Sequence, residues 1–321
     1  MKNNTVVIGA GISGLLVARE LASRGAQVQV LEKSRGVGGR MSTKRVGSAV
    51  FDQGAQFFSA RDEHFDARVR CWARKGVVAP IANPTSGTER WVARPSMTGL
   101  AKALAKDLRV SLKSQVQAVR WHDCGCWEVD VVGGELVRGE RLVMASPVPQ
   151  SLALLEAGGV ILPEQLEASL HDLQYNPCLA LLATLDGPSA VPEGGEAITT
   201  GNLRWVSDNV RKGLAQNVPS AITFHLTPEF SAANYGASEN ELFTQLADEL
   251  KPWLGGATIV GQAMHRWRYS EPKTTFAEDH LWLPELRLGF CGDAFGGPRV
   301  EGAAISGLAL ARKIVGTLQT P

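Results

Sequence analysis

The sequence predicts an α/β protein: a doubly wound, mostly parallel sheet with a β-meander crossover, interrupted by a second domain of mixed α+β type. Three observations point there. The first forty residues read strand, glycine loop, helix, strand. Near the far end a strand closes in Cys291-Gly292-Asp293 and is followed by a helix of small residues. Between them, residues 148–275 differ in composition from both ends.

Thr5 to Ile8 are a short β-branched run, as a buried parallel strand requires. The run ends in Gly9-Ala10-Gly11-Ile12-Ser13-Gly14, a G-x-G-x-x-G loop, and a helical stretch follows to a stop at Gly25. Gly9 permits the tight turn, Gly11 the approach of a pyrophosphate, and Gly14 close packing of helix on strand. Backbone N–H groups at Ile12 and Ser13 face the phosphates, aided by the helix dipole. A second strand, Gln27 to Leu31, runs into Glu32. That acid lies 32 − 9 = 23 residues past the first glycine, close to the roughly 20-residue offset of a carboxylate that binds a ribose hydroxyl. The competing reading is a plain glycine-rich corner, which gives the acid no task.

Further along, Val50 to Phe58 is an extended apolar run interrupted by Gly54, and Gln56 and Phe57 are either a ligand wall or part of a bulged core strand. Residues 61–76 have helical spacing, and Trp91 to Ala93 reads as a strand. A helix then starts with Ser96 as candidate N-cap and continues through Leu104 and Leu108. Residues 114–119, 127–132 and 136–138 form a small meander. Arg141 to Ala145 returns as a buried strand. Residues 148–275 carry strands at 179–185, 221–226 and 258–267 and a helix over 238–250. Leu286 to Phe290 is the last buried strand. Asp293 then either accepts from sugar-type hydroxyls or caps a turn, and a helix opens around Val300, Gly302 and Ala303. The first domain is therefore expected at 1–75, 97–147 and 276–321, and the second at 76–96 and 148–275.

With 321 residues, 44% of them hydrophobic, the chain is long enough for about two domains. A formal net charge of +1 gives no field for nucleic acid or an acidic membrane. No apolar stretch approaches the roughly 18 residues of a membrane span, and the tail at 314–321 is polar, so a cytoplasmic protein is expected. Cys71, Cys124, Cys126, Cys178 and Cys291 make neither a CxxC pair nor a zinc pattern, and no metal is expected. His225 and His265 lie on expected strands and read as packed rather than catalytic.

The G-x-G-x-x-G loop does not choose between NAD and FAD. The next stretch, Ser34 to Met41 with its Gly38-Gly39-Arg40-Met41, resembles the GG-R signature of the flavin amine-oxidase superfamily, as do Gly292-Asp293 and the Glu301-Gly302-Ala303 helix. Within that superfamily, Asp52 to Phe57, Arg204 to Asn209 and Trp267 to Ser270 resemble the renalase branch. The resemblance implies non-covalent FAD held by Gly9, Gly11, Ile12, Ser13, Gly14, Glu32, Lys33, Gly39, Arg40, Met41, Gln56, Phe57, Val116, Gly292, Asp293, Val300, Gly302 and Ala303. The helix start at Gly302 and Ala303 would stabilise charge on the reduced flavin. Substrate would meet Phe57, Arg94, Met97, Trp205, Trp267 and Tyr269 beneath a mostly β roof.

The implied reaction is oxidation of 2- and 6-dihydro isomers of NAD(P)H, with molecular oxygen reduced to hydrogen peroxide. A dihydronicotinamide releases hydride and becomes aromatic without a general base, which suits a sequence with no acid–base dyad. The chain holds only 3 Tyr and no evident tyrosine cage for an amine. An amine oxidase, a desaturase, and a non-catalytic binder of the Rab-escort type are the alternatives.

Overall fold

The computed structural model describes residues 4–82, 87–214 and 217–318. The polar tail read from the sequence lies outside those residues from 319 onward. The chain divides into two compact units: Met1–Gly39, Ala101–Gln174 and Glu271–Pro321 form the first, Arg40–Leu100 and Tyr175–Ser270 the second.

The first unit is built on a six-stranded sheet. Its order is Leu281–Leu283, Leu288–Phe290, Arg141–Met144, Asn4–Ile8, Gln27–Glu32, Arg109–Leu112. The five strands from Leu288–Phe290 onward are parallel, and only the edge strand Leu281–Leu283 runs against them. Val6, Val7, Val30, Leu142 and Val143 are fully buried, as β-branched and aliphatic residues in a sheet covered on both faces should be. The helix Ile12–Ser23 connects the first two strands. Against it packs the long helix Arg299–Leu318, where a Cβ on Gly307 would come within 2.5 Å of Ser13 O. Glycine there is what lets two backbones meet.

Between Arg109–Leu112 and Arg141–Met144 the chain makes the expected meander, Val116–His122, Cys126–Val131 and Glu135–Gly139. The helices Val148–Ala157 and Glu164–His171 follow.

The second unit centres on a five-stranded sheet ordered Glu196–Ala197, Leu203–Asp208, Ser220–Leu226, Tyr175–Leu185, Ile259–Pro272. The strand Tyr175–Leu185 shows the two-residue period of a sheet buried on both faces. Leu179, Leu181, Ala183 and Leu185 join the larger core with Phe224, Leu242 and Leu250, while Leu182 joins Ala49 and Phe51. Those last two belong to the hairpin Thr43–Val46 and Ala49–Asp52. The expected helix over 238–250 is two shorter ones, Glu239–Gln245 and Ala247–Leu250, the first started by a Ser238–Glu241 capping box.

Several boundaries differ from the sequence reading. Residues 40–75 fall in the second unit because the Ala49–Asp52 strand is bonded into it: Asp52 N–H donates to Asn209 Oδ1 and Thr223 Oγ1 donates to Asp52 O. Residues 148–174 fall in the first unit, where Gly158 sits so close to Val119 that a Cβ would come within 1.7 Å of its carbonyl oxygen. The helix expected to reach Leu108 is Thr98–Ala105, and Asp107 then turns the chain at a φ of 66°. Ser96 lies before that helix, and its Oγ is 2.9 Å from Thr43 Oγ1.

Candidate active site

Two glycine loops of the first unit lie together at the carboxyl ends of its parallel strands. Gly9, at a φ of 107°, turns the chain out of the Asn4–Ile8 strand. A Cβ on Gly14 would meet Gly9 O at 2.2 Å, so only glycine fits there. Gly11 is different: a Cβ on it would meet no protein atom within 4 Å. It is the N-cap of Ile12–Ser23 without any side-chain cap, and the first helical hydrogen bond is Leu15 N–H to Gly11 O. The N–H groups of Ile12 and Ser13 therefore face the open side of the loop, the geometry that takes a phosphate. Gly38 N–H donates to Ala10 O at 2.8 Å, and a Cβ on Gly39 would stand 3.5 Å from Gly11 Cα.

Glu32, 7% exposed, binds both loops. Its Oε2 accepts from Ala10 N–H at 2.9 Å and its Oε1 from Ser34 N–H at 2.8 Å. A carboxylate has about four acceptor positions, so each oxygen keeps capacity for a ribose hydroxyl. Lys33 is exposed and reaches Gln150 Oε1, and Val116 is buried at the start of the meander.

The far end of the chain completes this face. Cys291 N–H donates to Met144 O, and Gly292 N–H to Ser306 Oγ at 2.9 Å. The Cys291 thiol is pushed up to about 12 by burial, opposed by a hydrogen bond with Ser13. Asp293, 5% exposed, follows directly. Val300 and Ala303 are buried at the opening of Arg299–Leu318, and a Cβ on Gly302 would come within 1.9 Å of Gly297 O. Asp293 follows the second strand of the sheet and Glu32 ends the fifth, with two strands between. Strand spacing puts them about 14 Å apart, a span that an extended dinucleotide bridges across the carboxyl ends of a doubly wound sheet.

A profile for the NAD(P)-binding Rossmann-like domain matches residues 7–71, and one for flavin containing amine oxidoreductases matches residues 72–315. The chain belongs to the flavin-containing amine oxidoreductase family. FAD is its cofactor, and the open backbone at Gly11, the clasped acid and the buried Asp293 suit that group. A 4,4'-diapophytoene desaturase of Staphylococcus aureus is 38% identical over 65 residues, which is 20% of this chain and 13% of that protein. The chain thus spans a small part of the curated relatives it matches. Among solved structures, a putrescine oxidase redesigned in its cofactor binding superposes with a TM-score of 0.75 at 15% identity, covering 98% of this chain and 99% of the other. The PF1083 protein of Pyrococcus furiosus gives 0.71 at 12% identity, covering 97% of each. At such identities these likenesses speak for the fold alone.

The second unit gathers part of the expected substrate set. Phe57 and Trp205 pack with ring centroids 5.2 Å apart, and the Arg90 guanidinium lies over both rings, at 4.3 Å and 5.3 Å. Trp205 Nε1 is buried with no acceptor among the described residues. Sequence reasoning missed Arg90. Its place directly before Trp91-Val92-Ala93, on the strand Arg90–Ala93, was a weak signal. Trp267 Nε1 donates to Gln53 O at 3.0 Å and its ring meets His265 edge-on at 4.1 Å. Tyr269 meets Tyr175 at 5.6 Å with planes 79° apart, so the two rings are crossed rather than facing. Arg40 donates to the carbonyls of Tyr269 and Ser270.

Other expected residues are turned inward. Gln56 is 5% exposed: its Nε2 donates to Asp52 O and Gly54 O, while its Oε1 accepts from Ser207 Oγ and Lys212 Nζ. It is a clasp inside the second unit. Met97, fully buried, is core, with its N–H on Asp52 Oδ1; Met41 is also buried, and its carbonyl accepts from Thr98 Oγ1. Arg94 donates to Lys212 O and Gly213 O and so orders a loop. At the centre Lys212 Nζ lies 3.0 Å from Asp52 Oδ2, both groups almost wholly buried. Burial holds the Lys212 amine below its usual range, and Asp52 opposes that shift. His225 is pushed down to about 4 by burial, with its Nε2 on Gln53 O. Among the described residues no cluster could hold a metal, and no helix is long and apolar enough to cross a membrane.

Proposed function

We propose that this family member is an FAD-dependent oxidase of the renalase type, oxidising 2- and 6-dihydro isomers of NAD(P)H to NAD(P)+ and passing the electrons to molecular oxygen. Flavin, when bound, supplies the hydride acceptor. The chain's own part is to hold the dinucleotide through Gly11, Glu32 and Asp293, and to recognise a flat substrate through Arg90, Phe57 and Trp205.

The observation that carries this reading is the guanidinium over Phe57 and Trp205. An alkylammonium substrate would use those ring faces for cation–π contact, but Arg90 already covers them and repels a second cation. A dihydronicotinamide is neutral in its reacting ring and anionic in its phosphates, so the same arginine favours it. Trp205 Nε1, a buried donor lacking an acceptor among the described residues, is what a carboxamide oxygen would satisfy, and leaving such a donor unmet costs about 1–3 kcal/mol. The crossed Tyr175–Tyr269 pair also offers no parallel walls to an amine.

The purified holoprotein should be mixed without oxygen with 6-dihydroNAD, ordinary NADH, putrescine and an apolar polyene. Rapid bleaching of the flavin by the first alone supports the assignment. Bleaching by putrescine or the polyene, with none by the dihydronicotinamide, overturns it.

A further inference from the structure

The tip of the first meander hairpin carries chemistry that a flavin reaction does not use. Val116–His122 and Cys126–Val131 pair antiparallel, with His122 opposite Cys126. The turn between them closes through Gly125 N–H to His122 O at 2.8 Å, and Gly125 takes a φ of 77°. That turn brings Cys124 Sγ to 2.8 Å from Cys126 Sγ. Both are free thiols, Cys124 exposed and Cys126 half-buried, whereas Cys178 and Cys291 are buried. Two thiols in direct contact at a solvent-facing tip need little backbone movement to bond, because the turn already holds their sulfurs together.

We propose that Cys124 and Cys126 are a modification site, forming a reversible disulfide across the hairpin tip with hydrogen peroxide as the oxidant. In the first step the Cys124 thiolate attacks one peroxide oxygen, the O–O bond breaks, and a sulfenic acid and hydroxide form. Cys126 then attacks the sulfenic sulfur. The S–S bond forms as the S–O bond breaks, the Cys126 proton leaves with the oxygen, and water is released. Overall two thiols lose two electrons and two protons, and one peroxide becomes two waters. The Cys126 thiol is half-buried and pushed up, first by its hydrogen bond with Cys124 and then by burial, so the exposed Cys124 is the partner that peroxide reaches first. A small thiol reverses the bond by exchange.

The test uses the full chain as purified holoprotein, reduced, freed of reductant, exposed to a slight excess of hydrogen peroxide and then alkylated. Alkylatable thiols should fall from the five of the sequence to three, with a loss of two hydrogens mapped to the peptide holding both cysteines and full recovery after dithiothreitol. Cys126→Ser should instead give a sulfenic acid at Cys124 that dimedone traps. Full alkylation of both cysteines after peroxide, a product bridged between two chains, or no dimedone adduct in Cys126→Ser would each overturn the proposal. Because peroxide is added directly, the result is independent of which substrate reduces the flavin.

Discussion

Replacing Lys212 by Met tests how the second unit is held together. Asp52 is fully buried, and its carboxylate receives Lys212 Nζ at 3.0 Å, Thr43 Oγ1 at 2.8 Å and Met97 N–H at 3.0 Å. Methionine fills a similar volume without charge, so the change removes the only cation that the described residues place on this carboxylate and leaves the anion with two neutral donors. Breaking a buried pair from one side costs about 3–5 kcal/mol, against a total stability of about 5–15 kcal/mol for a domain. Gln56 keeps its Ser207 donor, so the loss should not spread through that side chain. With a urea slope of about 2–3 kcal/mol per molar, the midpoint for the second unit should drop by roughly 1–2 M.

The assay is urea unfolding followed by tryptophan fluorescence. Asp52→Asn in the same chain should restore at least half of the loss, since an asparagine oxygen still accepts from Met97 and Thr43 and no buried charge remains. A drop below about 1 kcal/mol in the single variant, or an additive loss in the double, would refute the argument that this ion pair is desolvated and mutually dependent.

Three further outcomes are expected. Gly11→Ala should leave the melting temperature of the flavin-free protein unchanged, since its Cβ meets no protein atom, yet lower flavin retention; Gly14→Ala should harm both, because its Cβ would lie 2.2 Å from Gly9 O. Absorbance ratio at the flavin band and thermal unfolding separate the two. His225, neutral in the fold with its value near 4 against an ordinary 6.5, binds fewer protons folded than unfolded between those values, so its contribution is complete above pH 6.5 and is lost as pH falls toward 4. The loss is of the order of 3 kcal/mol, and His225→Gln should flatten stability-versus-pH curves in that window. Arg90→Leu should raise the KM for a dihydronicotinamide about tenfold or more, equivalent to about 1.4 kcal/mol, and let simple alkylammonium ions inhibit; unchanged KM in steady-state assays would remove Arg90 from substrate recognition.

The glycine loop was legible because each of its residues answers to a local constraint. Gly9 must adopt a left-handed φ, Gly14 has no room for a Cβ, and Glu32 sits where strand length puts it. None of this depends on knowing what lies elsewhere in the chain. Gln56 shows the opposite case. Beside Gly54, which would press a Cβ against Arg40 O at 2.0 Å, it reads as a polar residue at a site of close approach, and a flavin wall was the natural inference. Its partners Ser207 and Lys212 lie 151 and 156 residues away, and nothing in a linear pattern pairs a glutamine with a lysine at that distance. The helices Val148–Ala157 and Glu164–His171 escaped for a related reason: Pro147 and Pro163 at their N-caps, which are permitted there, look like loop residues in a stretch already marked as a change of composition.

The distinction bears on how this family can vary its chemistry. In the first unit the proposed dinucleotide site presents mostly backbone: N–H groups at Ile12 and Ser13, and glycines that leave room for atoms to approach. In the second unit the contacts that would choose a substrate are side chains, and each is fixed by another that is remote in sequence. Trp267 is oriented by Gln53 O, the same carbonyl that meets His225, and Gln53 lies beside Asp52, which Lys212 neutralises. A substitution at Lys212 therefore has a path to the proposed substrate face through one backbone carbonyl. Lys212→Met, measured for KM as well as stability, should weaken binding of a flat substrate more than turnover; equal loss in both would place Lys212 in stability alone.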